Sequence, residues 1–297
     1  MASRPTSRLM AAAAWLAGWL PPAGLRALYG LGPISGLLRS LLNRSAPQGT
    51  SEVTVAGGRL AGARLLLDLR EEKDLWLGSY EPFVLETIAR FARPGMTAYD
   101  VGAHIGYVTL CLARAVGPQG HVVAFEPLPA NQQRLRTNLE LNGLSGRVQV
   151  VAGAVGEAAG WQLFRPHLSV AMGKLTADAP DEPAAGLLEV EVIALDEFSA
   201  AAGTSPGLIK MDIEGGEAAA LRGARRLMRQ AKPVLLLELH EAQAAEAGTV
   251  FDELQQMGYE VRRLARQHPV VTSTAELGRK AYLLGLPSGE FPVTEGE

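Results

Sequence analysis

The run Asp100-Val101-Gly102-Ala103-His104-Ile105-Gly106 sets a carboxylate against a glycine turn. Glycines at 102 and 106 let a backbone come close to a ligand. Glu126-Pro127 ends the next apolar run, about 20 residues on, where an acid binds a ribose hydroxyl pair. Ala103, His104, Gly106 and Pro127 complete this candidate binding set, with His104 read as a cap on the loop. A dinucleotide site needs G-x-G-x-x-G, because its pyrophosphate rests on a helix N-terminus. Here the spacing is G-x-x-x-G, and Asp100 would repel a pyrophosphate. The same carboxylate suits the ammonium of an amino acid. A cofactor with an amino-acid end, a ribose and no phosphate is S-adenosylmethionine. A nicotinamide dinucleotide is disfavoured on the same grounds.

A second constellation is LIKMDIEGGE, residues 208–217. In a strand of period two, Lys210, Asp212 and Glu214 share one side and emerge at the carboxyl edge of a sheet. Methyl transfer needs alignment and a group that takes the acceptor's proton. Asp212 is the candidate base or orienter, Glu214 can share the task, and Lys210 holds Asp212 or touches a substrate oxygen. Glu217 is either a site residue or a helix-dipole partner. Glu238 lies inside LLLEL, where an unpartnered acid is costly, so it should face the cleft. His240 is a second candidate base, with an exposed strand-end histidine as the plain alternative. No metal is assigned; an oxygen-only ion site from these acids is the minor alternative.

These residues must be positioned by alternating strands and helices. Strands are expected at 97–101, 122–125, 148–151, 208–213, 234–239, 259–264 and 281–286. Helices are expected at 82–91, 105–116, 128–142, 217–229 and 242–257. Apolar strands without alternation, such as Val122 to Phe125, imply a parallel sheet covered on both faces. Strand-like runs at 53–56 and 63–69 suggest a small hairpin before this core. Two more, at 161–164 and 188–193, flank a polar connection from His167 to Gly186 that breaks the rhythm. The segments 165–186 and 266–279 are expected to shape an acceptor pocket. The division read from this pattern is 1–50 helical segment and linker, 51–94 hairpin and helix, and 95–297 binding domain.

The 297-residue chain carries 28 basic and 31 acidic residues, a net charge of −3. That argues against nucleic-acid binding through bulk positive charge. The apolar run Leu9 to Leu20 is too short to span a bilayer. With residues 25–42 it is read as two N-terminal helices packing on the body, on a second subunit or on a membrane surface. A cleaved signal is the lesser alternative. Cys111 sits in an apolar helical pattern and is read as a buried structural thiol. The expected location is cytoplasmic, with peripheral membrane association left open.

YDVGAHIGYVTLCLA, VVAFEPLPANQQRLRTNLELNG, IKMDIEGGEAAALRGA and PVLLLELHE occur in this order. Together with LGSYEP at Leu77 to Pro82, they resemble the FkbM-type S-adenosylmethionine-dependent methyltransferases over roughly residues 76–286. Two positions depart from the family pattern: His104 where asparagine is frequent, and Gly216 where histidine is frequent. The resemblance implies a Rossmann-like class I fold with seven strands, mostly parallel, the last antiparallel. It implies that Tyr80 and Glu81 close over the cofactor. It also implies transfer to a hydroxyl of a small molecule or sugar. A scaffold that binds the cofactor without catalysis is the alternative.

Overall fold

The structure, a computed structural model, describes residues 46–166, 173–176, 187–239, 244–265, 267–277 and 281–289. The expected N-terminal helices and His240 lie outside the described residues. In chain order the elements are β1 (Thr50–Thr54), β2 (Arg64–Asp68), α1 (Lys73–Leu77), α2 (Pro82–Phe91), β3 (Thr97–Val101) and α3 (Tyr107–Ala115). Next come β4 (His121–Phe125), α4 (Pro129–Leu141), β5 (Val148–Val151), β6 (Ala154–Val155), β7 (Gly160–Pro166), β8 (Gly173–Thr176) and β9 (Leu188–Ile193). The chain continues with α5 (Leu195–Ala202), β10 (Leu208–Met211), α6 (Glu217–Arg222), α7 (Arg225–Ala231) and β11 (Val234–Leu239). It then forms α8 (Ala244–Gln256), β12 (Tyr259–Arg263) and β13 (Ala281–Pro287).

Seven strands form the central sheet in the order β12-β13-β11-β10-β3-β4-β5. β11, β10, β3, β4 and β5 pair in parallel. β13 runs antiparallel to both β11 and β12. This is the class I methyltransferase sheet, with its last strand reversed. Period-two alternation divides each strand between two cores. Ala98, Leu208 and Leu236 join α2, α3 and the hairpin on one face; Tyr99, Ile209 and Leu235 join α6, α7 and α8 on the other. Hairpin residues Leu65 and Leu67 belong to the first of these cores, so segment 51–94 has no separate interior. Among the described residues, no helix is long and apolar enough to cross a membrane.

Three departures from the sequence reading have local causes. The helix expected over 217–229 is two helices, because the backbone at Gly156 closes on Gly223. A Cβ at 223 would lie 2.2 Å from the Gly156 carbonyl oxygen. α5 was not expected; it spans eight residues and stops at Gly203, whose φ is 61°. The polar connection after β7 contains β8, which pairs antiparallel with β7 in a second, four-stranded sheet.

The hairpin is fastened to α4 by side chains spaced one helical turn apart. Asn138 accepts from the Leu66 N–H at 2.7 Å and donates to the Ile105 carbonyl at 2.8 Å. Asn142 accepts from the Arg64 N–H at 3.1 Å and donates to its carbonyl at 2.6 Å. Arg134 donates to the Leu66 carbonyl and forks onto Glu72 at 2.9 and 2.5 Å. The i, i+4, i+8 stripe thus completes the ladder of an edge strand. Asn138 is fully buried. Asn138→Ala leaves a buried N–H and a carbonyl without partners, each loss worth about 1–3 kcal/mol. Urea unfolding should show a loss of about 2–4 kcal/mol; a loss below about 0.5 kcal/mol would mean that the stripe carries no stability.

Candidate active site

Strand ends β3, β4 and β10 open onto one cavity of about 340 Å³. That is large enough for a cofactor-sized ligand. Gly102, Ala103 and His104 line it from β3, Glu126 and Pro127 from β4, and Lys210, Asp212 and Glu214 from β10. Tyr80 lines it from the segment before α2, and Phe164 from the second sheet. The sequence reading brought most of these residues to one edge, and the sheet order explains why. β10, β3 and β4 are neighbours, and their carboxyl ends meet where the strand order reverses.

The glycine turn is tight for a physical reason. Gly102 has φ 81°, and a Cβ there would stand 1.9 Å from the Asp212 carbonyl oxygen. The Asp212 N–H in turn donates to the Val101 carbonyl at 3.0 Å. The two loops that would grip a ligand are therefore packed backbone to backbone. Gly106 lies off the cavity wall, at the start of α3 against Leu135.

Glu126 is held from three sides. His104 N–H donates to Oε2 at 2.8 Å, while Leu128 N–H and the Asn131 amide donate to Oε1 at 2.9 and 3.2 Å. Burial raises its pKa, and these donors oppose the rise. His104 takes a positive φ of 50° to aim its N–H this way. Burial pushes its imidazole down to about 4, so it is neutral at pH 7.

Asp100 lies at the base of the glycine turn. It is fully buried, is not on the cavity wall, and accepts from the Thr109 hydroxyl at 2.5 Å. Its other oxygen lies 3.8 Å from Lys210 Nζ. Period two placed Asp100 on the correct face of β3 but said nothing of its depth.

Lys210 is 5% exposed and stands among acids. Its ammonium is 3.4 Å from Asp212 Oδ2 and 3.4 Å from the Gly102 carbonyl. Burial works against this charge, but Asp212, Asp100, Glu81 and Glu238 outweigh it and hold the pKa above its ordinary value. β3, β10 and β11 place Asp100, Lys210 and Glu238 on the same sheet face, with Lys210 directly beside Asp100.

Tyr80 and Glu81 stay side by side, the phenol hydrogen-bonding the carboxylate. Tyr80 lines the main cavity, its ring edge-on to Tyr107 at 5.7 Å between centroids. Glu81 lines a neighbouring small recess with Glu238 and Tyr282. Carboxylate oxygens of Glu81, Asp212 and Glu238 lie within 4.8 Å of one another, a set able to take a cation. The Lys210 ammonium already occupies their field. Burial raises Glu81 to about 7, against the pull of Lys210. Its backbone sits in the left-handed region, φ 40°, just before Pro82.

Glu217 is resolved in favour of structure. It is fully buried, and its carboxylate accepts from the N–H groups of Ile213, Gly215 and Gly216 at 3.4, 3.2 and 3.1 Å. It braces the turn that carries Glu214. Gly216 there has φ 138°, which side-chain-bearing residues rarely adopt, so this backbone suits glycine and not the family's frequent histidine. Cys111 is buried as expected, and burial pushes its thiol up to about 12. Sequence reasoning missed Asn131 and Thr109, which hold Glu126 and Asp100. Their signal, polar residues on inward helix faces, was present but has no fixed spacing.

The profile of the methyltransferase FkbM domain matches residues 100–261, more than half of the chain. This chain belongs to the FkbM methyltransferase family. The FkbM chain is similar to protein-L-isoaspartate O-methyltransferase 1 of Arabidopsis thaliana, 32% identical over 100 residues, covering 33% of this chain and 44% of that protein. It is also similar to catechol O-methyltransferase of Mycobacterium tuberculosis, 43% identical over 54 residues, covering 18% and 24%. The FkbM chain spans less than half the length of the isoaspartate methyltransferases it matches. Among solved structures it is similar to methyltransferase FkbM from Methylobacillus flagellatus KT, with 21% identity, 73% and 53% coverage and a TM-score of 0.43.

Proposed function

We propose that this FkbM-family chain is an S-adenosylmethionine-dependent O-methyltransferase acting on a hydroxyl of a small molecule or sugar. The observation that carries the reading is the pairing of Asp212 with Lys210 in the same cavity as the glycine turn and Glu126. The residues present suit the cofactor. An acidic wall favours its positive sulfur and ammonium, Glu126 suits a ribose, and Leu128 and Phe164 supply apolar surface for a base. Tyr107, 3% exposed, lines the cavity with a buried hydroxyl that has no hydrogen-bond partner among the described residues.

Bound there, the cofactor supplies a methyl carbon activated by positive sulfur. The chain must do the rest. The backbone of Gly102 to His104 fixes one end of the ligand, and Glu126 fixes its sugar. Asp212 orients the acceptor hydroxyl and takes its proton as the oxygen attacks. Lys210 holds Asp212 in place. A net charge of −3 fits a small acceptor better than a nucleic acid.

Calorimetric titration with S-adenosylmethionine and S-adenosylhomocysteine tests the first half of this reading. Transfer of labelled methyl to a panel of sugars and other hydroxylated molecules tests the second. Micromolar one-to-one binding and label in an alkali-stable ether are expected. A folded protein that binds neither ligand would overturn the cofactor assignment, and one that binds but transfers no methyl would favour the scaffold alternative. Label on nitrogen, carbon or a carboxylate would overturn the hydroxyl assignment.

A further inference from the structure

Glu214 is held in a conformation that its residue type does not favour. It stands between β10 and α6 with φ 57°, in the left-handed region where a Cβ is costly. The next two residues have positive φ as well and are glycines, at 99° and 138°. Glycine at 214 would complete the same turn with less strain. The strained position keeps a carboxylate instead, on the wall of the main cavity.

The turn does not draw its shape from that carboxylate. Glu217 accepts from the N–H groups of Ile213, Gly215 and Gly216, and it also supplies the acid in the first turn of α6. Glu217 therefore fills both structural tasks open to an acid here. What the turn achieves is position. It brings Ile213 to Gly216 onto the cavity wall directly after Asp212, whose backbone is fixed to Val101. Two carboxylates from one loop thus line the same space as the glycine turn. Glu71, Glu72, Asp74 and Glu126 also line it, and Lys210 is its one cationic side chain among the described residues. An anionic group would be repelled there. A hydroxyl or an amine would find acceptors for its protons.

We propose that Glu214 binds the methyl acceptor, accepting a hydrogen bond from a hydroxyl or amine adjacent to the hydroxyl that Asp212 deprotonates. The acceptor class is then a neutral or cationic molecule with two neighbouring donors, a sugar diol or an amino sugar, and not its phosphate ester. This rests on the reading of the cavity as the methyl-transfer site. Glu214 itself makes and breaks no covalent bond.

The test sets Glu214→Gly and Glu214→Gln beside wild type, all as the full chain. By calorimetry each variant should bind S-adenosylmethionine within about twofold of wild type. Thermal unfolding of Glu214→Gly should occur at or above the wild-type temperature, because glycine relieves the backbone. Labelled methyl transfer is then measured on methyl glycosides and 2-amino sugars, on their deoxy counterparts and on their phosphate esters. Wild type should favour the two-donor acceptors over the deoxy ones by at least about tenfold in kcat/KM, the worth of one hydrogen bond to a charged group. In Glu214→Gly that preference should fall below about twofold, with a raised acceptor KM, and Glu214→Gln should keep part of it. A glycine variant that unfolds well below wild type would make Glu214 a structural residue. One that keeps the full preference would relieve it of the acceptor. Either result overturns the proposal. So does wild-type protein that binds S-adenosylmethionine yet methylates none of the two-donor acceptors, or prefers the phosphate esters. Wild-type protein that does not bind S-adenosylmethionine would instead overturn the cofactor reading, and the acceptor site with it.

Discussion

Lys210→Met should destabilise the protein by about 3–5 kcal/mol near pH 8, the range for stripping one partner from a buried charge cluster. The ammonium is 7% exposed at its side chain and lies 3.4 Å from Asp212 and 3.8 Å from the fully buried Asp100. Methionine fills much of the same volume, so the loss is electrostatic rather than a cavity. Its pH dependence follows from Glu81. Burial already raises this carboxyl to about 7 with Lys210 present, and Lys210 acts to lower it. Without the ammonium, Glu81 moves further up. Between the ordinary carboxylate range and that raised value, the folded variant binds protons that the unfolded chain does not. Its stability therefore rises as pH falls through that window and is lost as pH increases. Urea unfolding at pH 5.5 and pH 8 should show the deficit shrinking at the lower value. An equal deficit at both would mean that Lys210 acts by packing.

Asp212→Asn should lower turnover by about 10²–10⁴-fold, the usual worth of a positioned proton acceptor. Asparagine keeps the size and the backbone N–H that donates to Val101. It loses the charge that faces Lys210 and the ability to take a proton. Affinity for S-adenosylmethionine should stay within a few-fold, because the glycine turn and Glu126 are untouched. Single-turnover methyl transfer beside calorimetry separates the two effects. A variant that binds normally and turns over within about threefold of wild type would relieve Asp212 of the proton-transfer role. Loss of binding in step with turnover would make Asp212 a ligand-holding residue instead.

Much of this arrangement was legible in the sequence, and the illegible parts share a cause. Strand and helix periods located the sheet, and the sheet's edge brought Gly102, Glu126 and Asp212 into one cavity. Periodicity reports which face a residue occupies. It does not report how far along that face the wall of a cavity lies. The depth of Asp100, surrounded by Thr109 and Lys210 below the floor, was therefore not foreseen. Tyr80 and Glu81 were assigned by family resemblance alone, since no period runs through the turn into α2, where Glu81 takes the left-handed region. Glu217 looked like part of the acidic constellation. Three N–H groups folding back on its carboxylate were invisible before the turn at 213–216 was seen.

The stripe Arg134-Asn138-Asn142 ties the hairpin to the same helix whose first turn supplies Asn131 to Glu126. The chain leaving the hairpin then forms the Glu71 to Leu75 wall of the cavity. Undocking the hairpin would pull that wall away, so hairpin closure and ligand occupancy share one free energy. Linkage makes the exchange reciprocal: a ligand that gains affinity from the closed hairpin holds it closed by the same factor. The amide proton of Leu66, held by Asn138, is the reporter of that equilibrium. Its exchange with solvent should slow as such a ligand saturates the cavity. A β-hairpin remote in sequence from the glycine turn thereby becomes a gauge of how full the site is.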